Sequence, residues 1–332
     1  MPRFKVALIA NDIHPVPDWV YEKFRKEDID FVFHNCHSRE ELEKYASDAD
    51  VIFISSARGG LVIEENMDIF KKAVCVIKGG SGTDNIDRKA CTEKGIIIAH
   101  TPEDPTEPAS DHFIAMLFSA VRQIANQDRL VRKGIWDSKA AMPFGLLTGA
   151  DVGIIGFGRI GRKIIEKLSG FKMNIRVFDP NVSNEDILQV GAKKVSMEKL
   201  LKRSRYVMVA CPLLEETHNL IGEKQLKMMR KDAILVNVAR AGIVDEDSLK
   251  HALREKWISA AAIDVLGEHP LKEGNEWLEF ENVTFSPHIA GYSGDYPDEI
   301  FRTPVEVILD IARGKMPPWI VNRECKASDF IA

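Results

Sequence analysis

Three features of this 332-residue chain have the residue types and spacing to do chemistry together. The first is a glycine turn. Val152-Gly153-Ile154-Ile155 leads into Gly156-Phe157-Gly158-Arg159-Ile160-Gly161, and Ile175-Arg176-Val177-Phe178 ends at Asp179, eighteen residues past Gly161. An apolar run, a Gly-x-Gly-x-x-Gly turn, apolar residues at helical spacing (Ile160, Ile164, Leu168, Phe171), a second β-branched run and an acid make the layout of a dinucleotide-binding βαβ unit. Gly156 permits the tight turn, Gly158 lets the backbone approach a pyrophosphate, and Gly161 lets the helix pack close to the strand. The helix start then turns its N–H groups and positive dipole end toward the phosphates. Asp179 can accept hydrogen bonds from an adenine ribose, and its charge repels a 2′-phosphate, which favours NAD over NADP.

The second and third features are Arg240 and His288. Oxidising an alcohol with a dinucleotide needs a group that takes the hydroxyl proton and a cation that holds a carboxylate and carbonyl. A histidine titrates near neutrality and suits the first task. An arginine, always charged and bidentate, suits the second. Taken alone, each has a bland reading as a salt-bridge arginine or a structural histidine. Beside a dinucleotide turn, the chemical reading is preferred.

These residues must be brought together by strands. Residues 4–9, 30–33, 50–55, 74–77 and 96–98 are short β-rich runs, with helical patterning at 38–46 and 63–71 between them. That alternation predicts a parallel sheet covered on both faces. Gly79-Gly80-Ser81-Gly82-Thr83 follows the fourth run and offers backbone N–H groups for a small carboxylate, or else is a structural turn before a helix starting near Asp87. The proline-rich stretch 101–108 predicts a domain crossing, followed by a helix over 108–126, with 127–150 mixed and polar. Alternation resumes with strands at 206–210, 233–237, 259–263 and 283–285 and helices at 245–255 and 297–313. The strands run into Cys211-Pro212, Val238-Ala239-Arg240, Asp264 and Ser286-Pro287-His288. Ligands of open α/β sheets bind at the carboxyl ends of strands, so Arg240, Asp264 and His288 are expected at the same edge as the glycine turn.

Composition narrows the partners. The net charge is −5 with acids and bases interspersed, which argues against nucleic acid or an anionic membrane. No apolar run approaches the ~18 residues of a membrane span. The N-terminus reads as a first strand rather than a signal peptide. The five cysteines are scattered without a Cys-x-x-Cys pair, which fits a reduced, cytoplasmic protein. No metal site is expected.

On these residues the chain resembles the D-isomer-specific 2-hydroxyacid dehydrogenases. The resemblance rests on Gly82-Thr83-Asp84-Asn85-Ile86-Asp87, Gly153 to Gly161, Cys211-Pro212-Leu213 with Thr217, Asn237 to Glu246, Ala262-Ile263-Asp264-Val265 and Ser286 to Gly291, in the family's order over nearly the whole length. It implies an α/β fold of two doubly wound parallel sheets, with a Rossmann NAD-binding domain (102–291) inserted into a flavodoxin-like substrate domain (1–101 and 292–332). It implies that Arg240 binds the keto acid, that His288 is the acid/base, and that the Ser81 and Gly82 backbone takes the carboxylate. Asp264 would face the nicotinamide amide. Gly156, Gly158, Arg159, Ile160, Gly161, Asp179, Cys211, Pro212, Thr217, Val238 and Ala239 would line the cofactor, and the protein would be a homodimer. Arg58 stands where some members place a specificity residue, or is a solvated surface arginine.

The chain departs from the family in two places. A glutamate usually stands five residues after the aspartate and partners the histidine. Here the run is Asp264-Val265-Leu266-Gly267-Glu268-His269-Pro270, so Glu268 lies one residue early and His269 fills the ungapped slot. Glu268 is the preferred partner by chemistry, His269 by register. Ala241 replaces a common glycine beside Arg240. The leading reading is an NAD-dependent oxidoreductase interconverting a D-2-hydroxy acid and its 2-keto acid. The alternative is an NAD(H)-sensing, corepressor-like binding protein of the same fold. A formate dehydrogenase lacks support at the slot before Pro270, and S-adenosylmethionine chemistry leaves Arg240 and His288 unexplained.

Overall fold

The computed structural model describes residues 4–10, 16–55, 60–137, 139, 144–294 and 298–325. The chain divides into two compact units, residues 1–105 with 293–332 and residues 106–292.

The first unit is built on strands β1 (Lys5–Ala10), β2 (Asp30–Asn35), β3 (Val51–Ile54), β4 (Cys75–Lys78) and β5 (Ile97–His100), all parallel in the order β2-β1-β3-β4-β5. This is the flavodoxin-like order. Each central strand is apolar on both faces because both are covered. On one face Ala7, Ile9, Ile52, Ile54, Val76 and Ile98 pack against buried Leu42 and Ala46 of the helix Arg39–Ala46 and buried Ala90 and Cys91 of the helix Arg88–Glu93. Val6, Leu8, Phe53 and Ile77 pack on Val20 and Phe24 of Asp18–Lys26 (α1) and on Phe301, Val305 and Ile308 of Glu299–Ala312. The segment after that last helix returns to β5, where Ala99 bridges Ile320 and Val321 N–H donates to the Ile98 carbonyl. Residues 63–71, patterned like a helix, form only a 3₁₀ turn at Glu64–Asn66. Their buried Met67, Ile69 and Phe70 serve as core anchors in an irregular segment.

The second unit holds seven strands, β6 (Asp151–Ile155), β7 (Asn174–Phe178), β8 (Lys193–Lys194), β9 (Tyr206–Val209), β10 (Ile234–Asn237), β11 (Ala260–Ile263) and β12 (Val283–Phe285). All pair in parallel, in the order β12-β11-β10-β9-β6-β7-β8. The strand order reverses between β6 and β9, the switch point at which doubly wound sheets bind ligands. One face packs on Phe113 and Leu117 of the helix Thr106–Arg122 and on Ile164 and Leu168 of Arg159–Leu168. The other packs on Leu200, Leu226, Leu249 and Leu253. Burial of each such side chain contributes roughly 1.5–3 kcal/mol.

One difference from the sequence pattern lies at 106–132. The long helix ends at Arg122, Gln123 takes a left-handed φ of 56°, and a second helix runs Ile124–Arg132. None of its residues is buried within the chain, so no core-facing stripe marks it.

Candidate active site

The candidate residues of the second unit gather at the carboxyl ends of its strands. Gly156 follows β6, Asp179 follows β7, Cys211 lies two residues past β9, Arg240 three past β10, Asp264 directly after β11 and His288 three past β12. Because these strands are parallel neighbours in one sheet, all six positions share one edge.

The glycine turn is shaped by close approaches. Gly156 has a φ of 100°, and a Cβ there would meet the Cys211 amide at 2.7 Å. A Cβ on Gly161 would meet the Gly156 carbonyl at 2.4 Å, so helix and strand need hydrogen at both positions. Gly158, the N-cap residue of Arg159–Leu168, faces open space. Asp179 is anchored above the turn, its carboxylate accepting Phe157 N–H at 2.8 Å and Asn181 N–H at 2.9 Å. An open glycine at a helix start, with an acid fixed beside it, fits a dinucleotide pyrophosphate and ribose. Arg159 is exposed at that helix start, while Ile160 packs partly into the core.

The neighbouring loops are stiff. Thr217 Oγ1 donates to the Pro212 carbonyl at 2.7 Å and accepts Leu214 N–H at 2.7 Å, which folds the 211–217 loop on itself. Cys211 is buried, and burial pushes its thiol up to about 11, so it packs rather than reacts. Buried Asn237 brackets the next loop, accepting Ala239 N–H at 3.1 Å and donating to the Arg240 carbonyl at 2.9 Å. Val238 is buried under this loop. The Arg240 guanidinium donates to the Ala239 carbonyl at 2.8 Å. Ala241 stays outside the left-handed region, which the chain assigns instead to Gly242, with φ 76°. Replacing glycine at position 241 therefore costs this loop nothing in backbone strain.

Asp264 organises the histidine turn. Its Oδ1 accepts Ser286 Oγ–H at 2.5 Å and Ile289 N–H at 3.1 Å, and its Oδ2 accepts Ala290 N–H at 3.2 Å. The Asp264 carbonyl accepts His288 N–H at 2.9 Å. Burial opposes ionisation of this carboxyl, but hydrogen bonds from His112, Ser286 and Ile289 outweigh it and hold the group below its ordinary range. His288 sits in this turn at φ 56°, a conformation that non-glycine residues adopt where surrounding structure imposes it.

The partner loop differs from the chemical expectation. Glu268 turns to Asn275 (3.2 Å) and Lys272 (3.7 Å). His269 instead stands beside His288, ring centroids 6.5 Å apart and edge-on. Contacts from elsewhere in the unit hold the loop this way. Gly267 N–H is held by Glu246 Oε1 at 2.7 Å, Glu246 Oε2 accepts the indole N–H of buried Trp277 at 3.1 Å, and His269 Nδ1 lies 3.2 Å from the Leu266 carbonyl. Glu246 and His112 are functional candidates that the sequence pattern passed over.

In the first unit, Ser81 and Gly82 lie just past β4. The turn is held by Thr101, whose hydroxyl accepts Gly80 N–H at 2.9 Å and whose N–H donates to the Lys78 and Gly80 carbonyls, and by His100, whose Nδ1 lies 3.0 Å from the Ser81 carbonyl. Among the described residues no protein acceptor takes the amides of Ser81 or Gly82. Arg58 lies outside the described residues. Among the described residues no cluster of histidine, cysteine and acids is arranged to hold a metal ion, and no helix is long and apolar enough to cross a membrane.

A switch-point glycine turn, an anchored acid and strand-end polar residues define the second unit as a nucleotide-cofactor domain of the doubly wound class. Its particular family follows from comparison with known proteins. Residues 114–290 match the model of the D-isomer specific 2-hydroxyacid dehydrogenase, NAD binding domain. The chain is similar to a glyoxylate reductase of Korarchaeum cryptofilum, 39% identical over 249 residues that cover 73% of this chain and 74% of that one. It is also similar to a D-3-phosphoglycerate dehydrogenase of Archaeoglobus fulgidus, 33% identical over 317 residues that cover 95% of this chain and 60% of that one. A solved glyoxylate reductase from Paecilomyes thermophila aligns with a TM-score of 0.86 at 25% identity, over 98% of this chain and 100% of that one. The chain belongs to the D-isomer-specific 2-hydroxyacid dehydrogenase family and is an NAD-dependent oxidoreductase.

Proposed function

We propose that the protein interconverts a small D-2-hydroxy acid and its 2-keto acid, with His288 as the acid/base and Arg240 as the keto-acid clamp. The observation that carries this reading is the convergence of the glycine turn, Arg240 and His288 on one edge of one sheet. Bound NAD supplies the hydride acceptor, or as NADH the donor. His288 takes the hydroxyl proton in oxidation and returns it to the carbonyl oxygen in reduction. Arg240 binds carboxylate and carbonyl oxygens through its planar fork. The Ser81 and Gly82 amides are assigned the substrate carboxylate. A compact substrate is favoured by the glyoxylate reductases among the relatives.

Asp179 is assigned the adenine ribose. Its carboxylate already sits on the turn, so a 2′-phosphate there would meet a fixed like charge. A spectrophotometric screen of D- and L-2-hydroxy acids with NAD and NADP tests both assignments. Turnover is expected with D isomers and NAD, and Asp179→Ala should narrow the NAD preference by roughly tenfold. Preference for L isomers, or equal turnover with NADP in the unmutated protein, would contradict them.

A homodimer is part of the same reading. Ile124 and Val131 of the helix Ile124–Arg132 are exposed with Ile135 and Trp136, the last 89% accessible, and so many large apolar groups on one short stretch suit a partner surface. Sedimentation velocity should give twice the chain mass, and Trp136→Glu should shift the species toward monomer. A monomeric unmutated protein would overturn this assignment.

A further inference from the structure

We propose that His112 is a positioning residue of this dehydrogenase site, holding the His288 turn in place through Ser286 and Asp264; the proposal rests on the reading of His288 given above. His112 lies on the helix Thr106–Arg122, far in sequence from the strand ends, with its side chain only 19% accessible. Its Nε2 stands 2.8 Å from Ser286 Oγ and 3.3 Å from Asp264 Oδ1. Ser286 has one proton, and its 2.5 Å contact commits that proton to Asp264 rather than to the Met116 sulfur at 3.5 Å. His112 Nε2 must therefore carry hydrogen and donate to Ser286 Oγ. The result is a directed chain, His112 to Ser286 to Asp264.

Asp264 is the hub. Its carboxylate receives the amides of Ile289 and Ala290, and its carbonyl receives that of His288. These bonds hold His288 at φ 56°, where the backbone does not rest unaided. The hub is 3% accessible, so the carboxylate depends on donors rather than water for its charge. Without the His112 donor, Ser286 Oγ keeps its bond to Asp264 but loses the contact that fixes it from the other side, and Asp264 loses a polar neighbour 3.3 Å away. The turn then relaxes and the His288 ring loses its fixed direction.

The test compares His112→Leu, which removes the donor, with His112→Gln, whose amide reaches about as far as Nε2. In the full-length protein, His112→Leu should lower kcat for keto-acid reduction by roughly 10- to 100-fold, since small misplacements of a reacting group cost that much. KM and NADH affinity should change far less, and His112→Gln should recover most of kcat. A purely structural role would lower the melting temperature of both variants without this rescue. A second readout needs no substrate. In ¹⁵N-histidine-labelled protein the His288 ring signals should shift and broaden in His112→Leu and return in His112→Gln. Unchanged kcat in His112→Leu would overturn the proposal even though the unmutated enzyme turns over. Unchanged His288 signals would overturn it whether or not any keto acid is reduced.

Discussion

If His288 is the general acid proposed above, replacing it by alanine should lower kcat for reduction of the best 2-keto acid by about 10²–10⁴-fold, the usual value of such a group, while NADH affinity should hardly move. At a left-handed φ of 56° histidine already carries the Cβ penalty, which alanine keeps without a side chain suited to that backbone. His288→Asn is the better variant, because asparagine tolerates that backbone and still lacks the ring. Both variants should lose the same activity, and the asparagine variant should be the more stable of the two. A fall of less than tenfold in His288→Asn would remove His288 from the proton transfer. The neighbouring loop refines this prediction. Glu268→Gln should leave the alkaline limb of the pH–rate profile in place, because its carboxylate serves Lys272 and Asn275. A direct ring-to-ring hydrogen bond would bring imidazole centroids to roughly 5 Å, so His269 at 6.5 Å is a neighbour rather than a bonded partner. Reduction needs protonated His288, and a neighbouring ring that does not bond it should matter much less, so His269→Ala should lower kcat far less than His288→Asn does. A limb that moves downward in Glu268→Gln would restore the acid as the partner.

Arg240→Lys should raise KM for the keto acid by about 30-fold, corresponding to about 2 kcal/mol for a lost charge-assisted, bidentate contact. Lysine keeps the charge but loses the fork. The loop itself should survive, because Asn237 holds it through main-chain atoms at Ala239 and Arg240, and the guanidinium bond to the Ala239 carbonyl is a contact that an ammonium can also donate. NADH affinity and melting temperature are therefore expected to stay close to those of the unmutated protein. An unchanged KM would make Arg240 a structural residue.

Much of the site was legible because strand ends leave signatures. The apolar runs before Gly156, Cys211, Asn237, Asp264 and Ser286 are continuous since both sheet faces are covered, and a polar residue after such a run marks the ligand edge. The glycine turn was equally readable, since close approaches force Gly156 and Gly161 while Gly158 leaves the helix start open. Other parts carried no such mark. The helix Ile124–Arg132 buries nothing within the chain, so no core-facing stripe announced it. Residues 63–71 have apolar spacing but no helix, because Met67, Ile69 and Phe70 fill the core from an irregular segment. Glu268 faces Lys272 and Asn275 in a loop whose Gly267 is held by Glu246, a tertiary contact with no local trace in the sequence. His112 was hidden within an apolar stripe, although a histidine one residue before buried Phe113 and four before buried Met116 is a signal worth reading.

The most direct measurement is the rate of NADH consumption with a panel of 2-keto acids, from glyoxylate to branched and sugar-derived ones, by the unmutated protein and by His288→Asn. Turnover of at least one 2-keto acid by the unmutated protein, reduced by at least a hundredfold in His288→Asn with NADH binding intact, is the predicted result. NADH that binds without consumption of any 2-keto acid, or turnover indifferent to His288, would contradict the account.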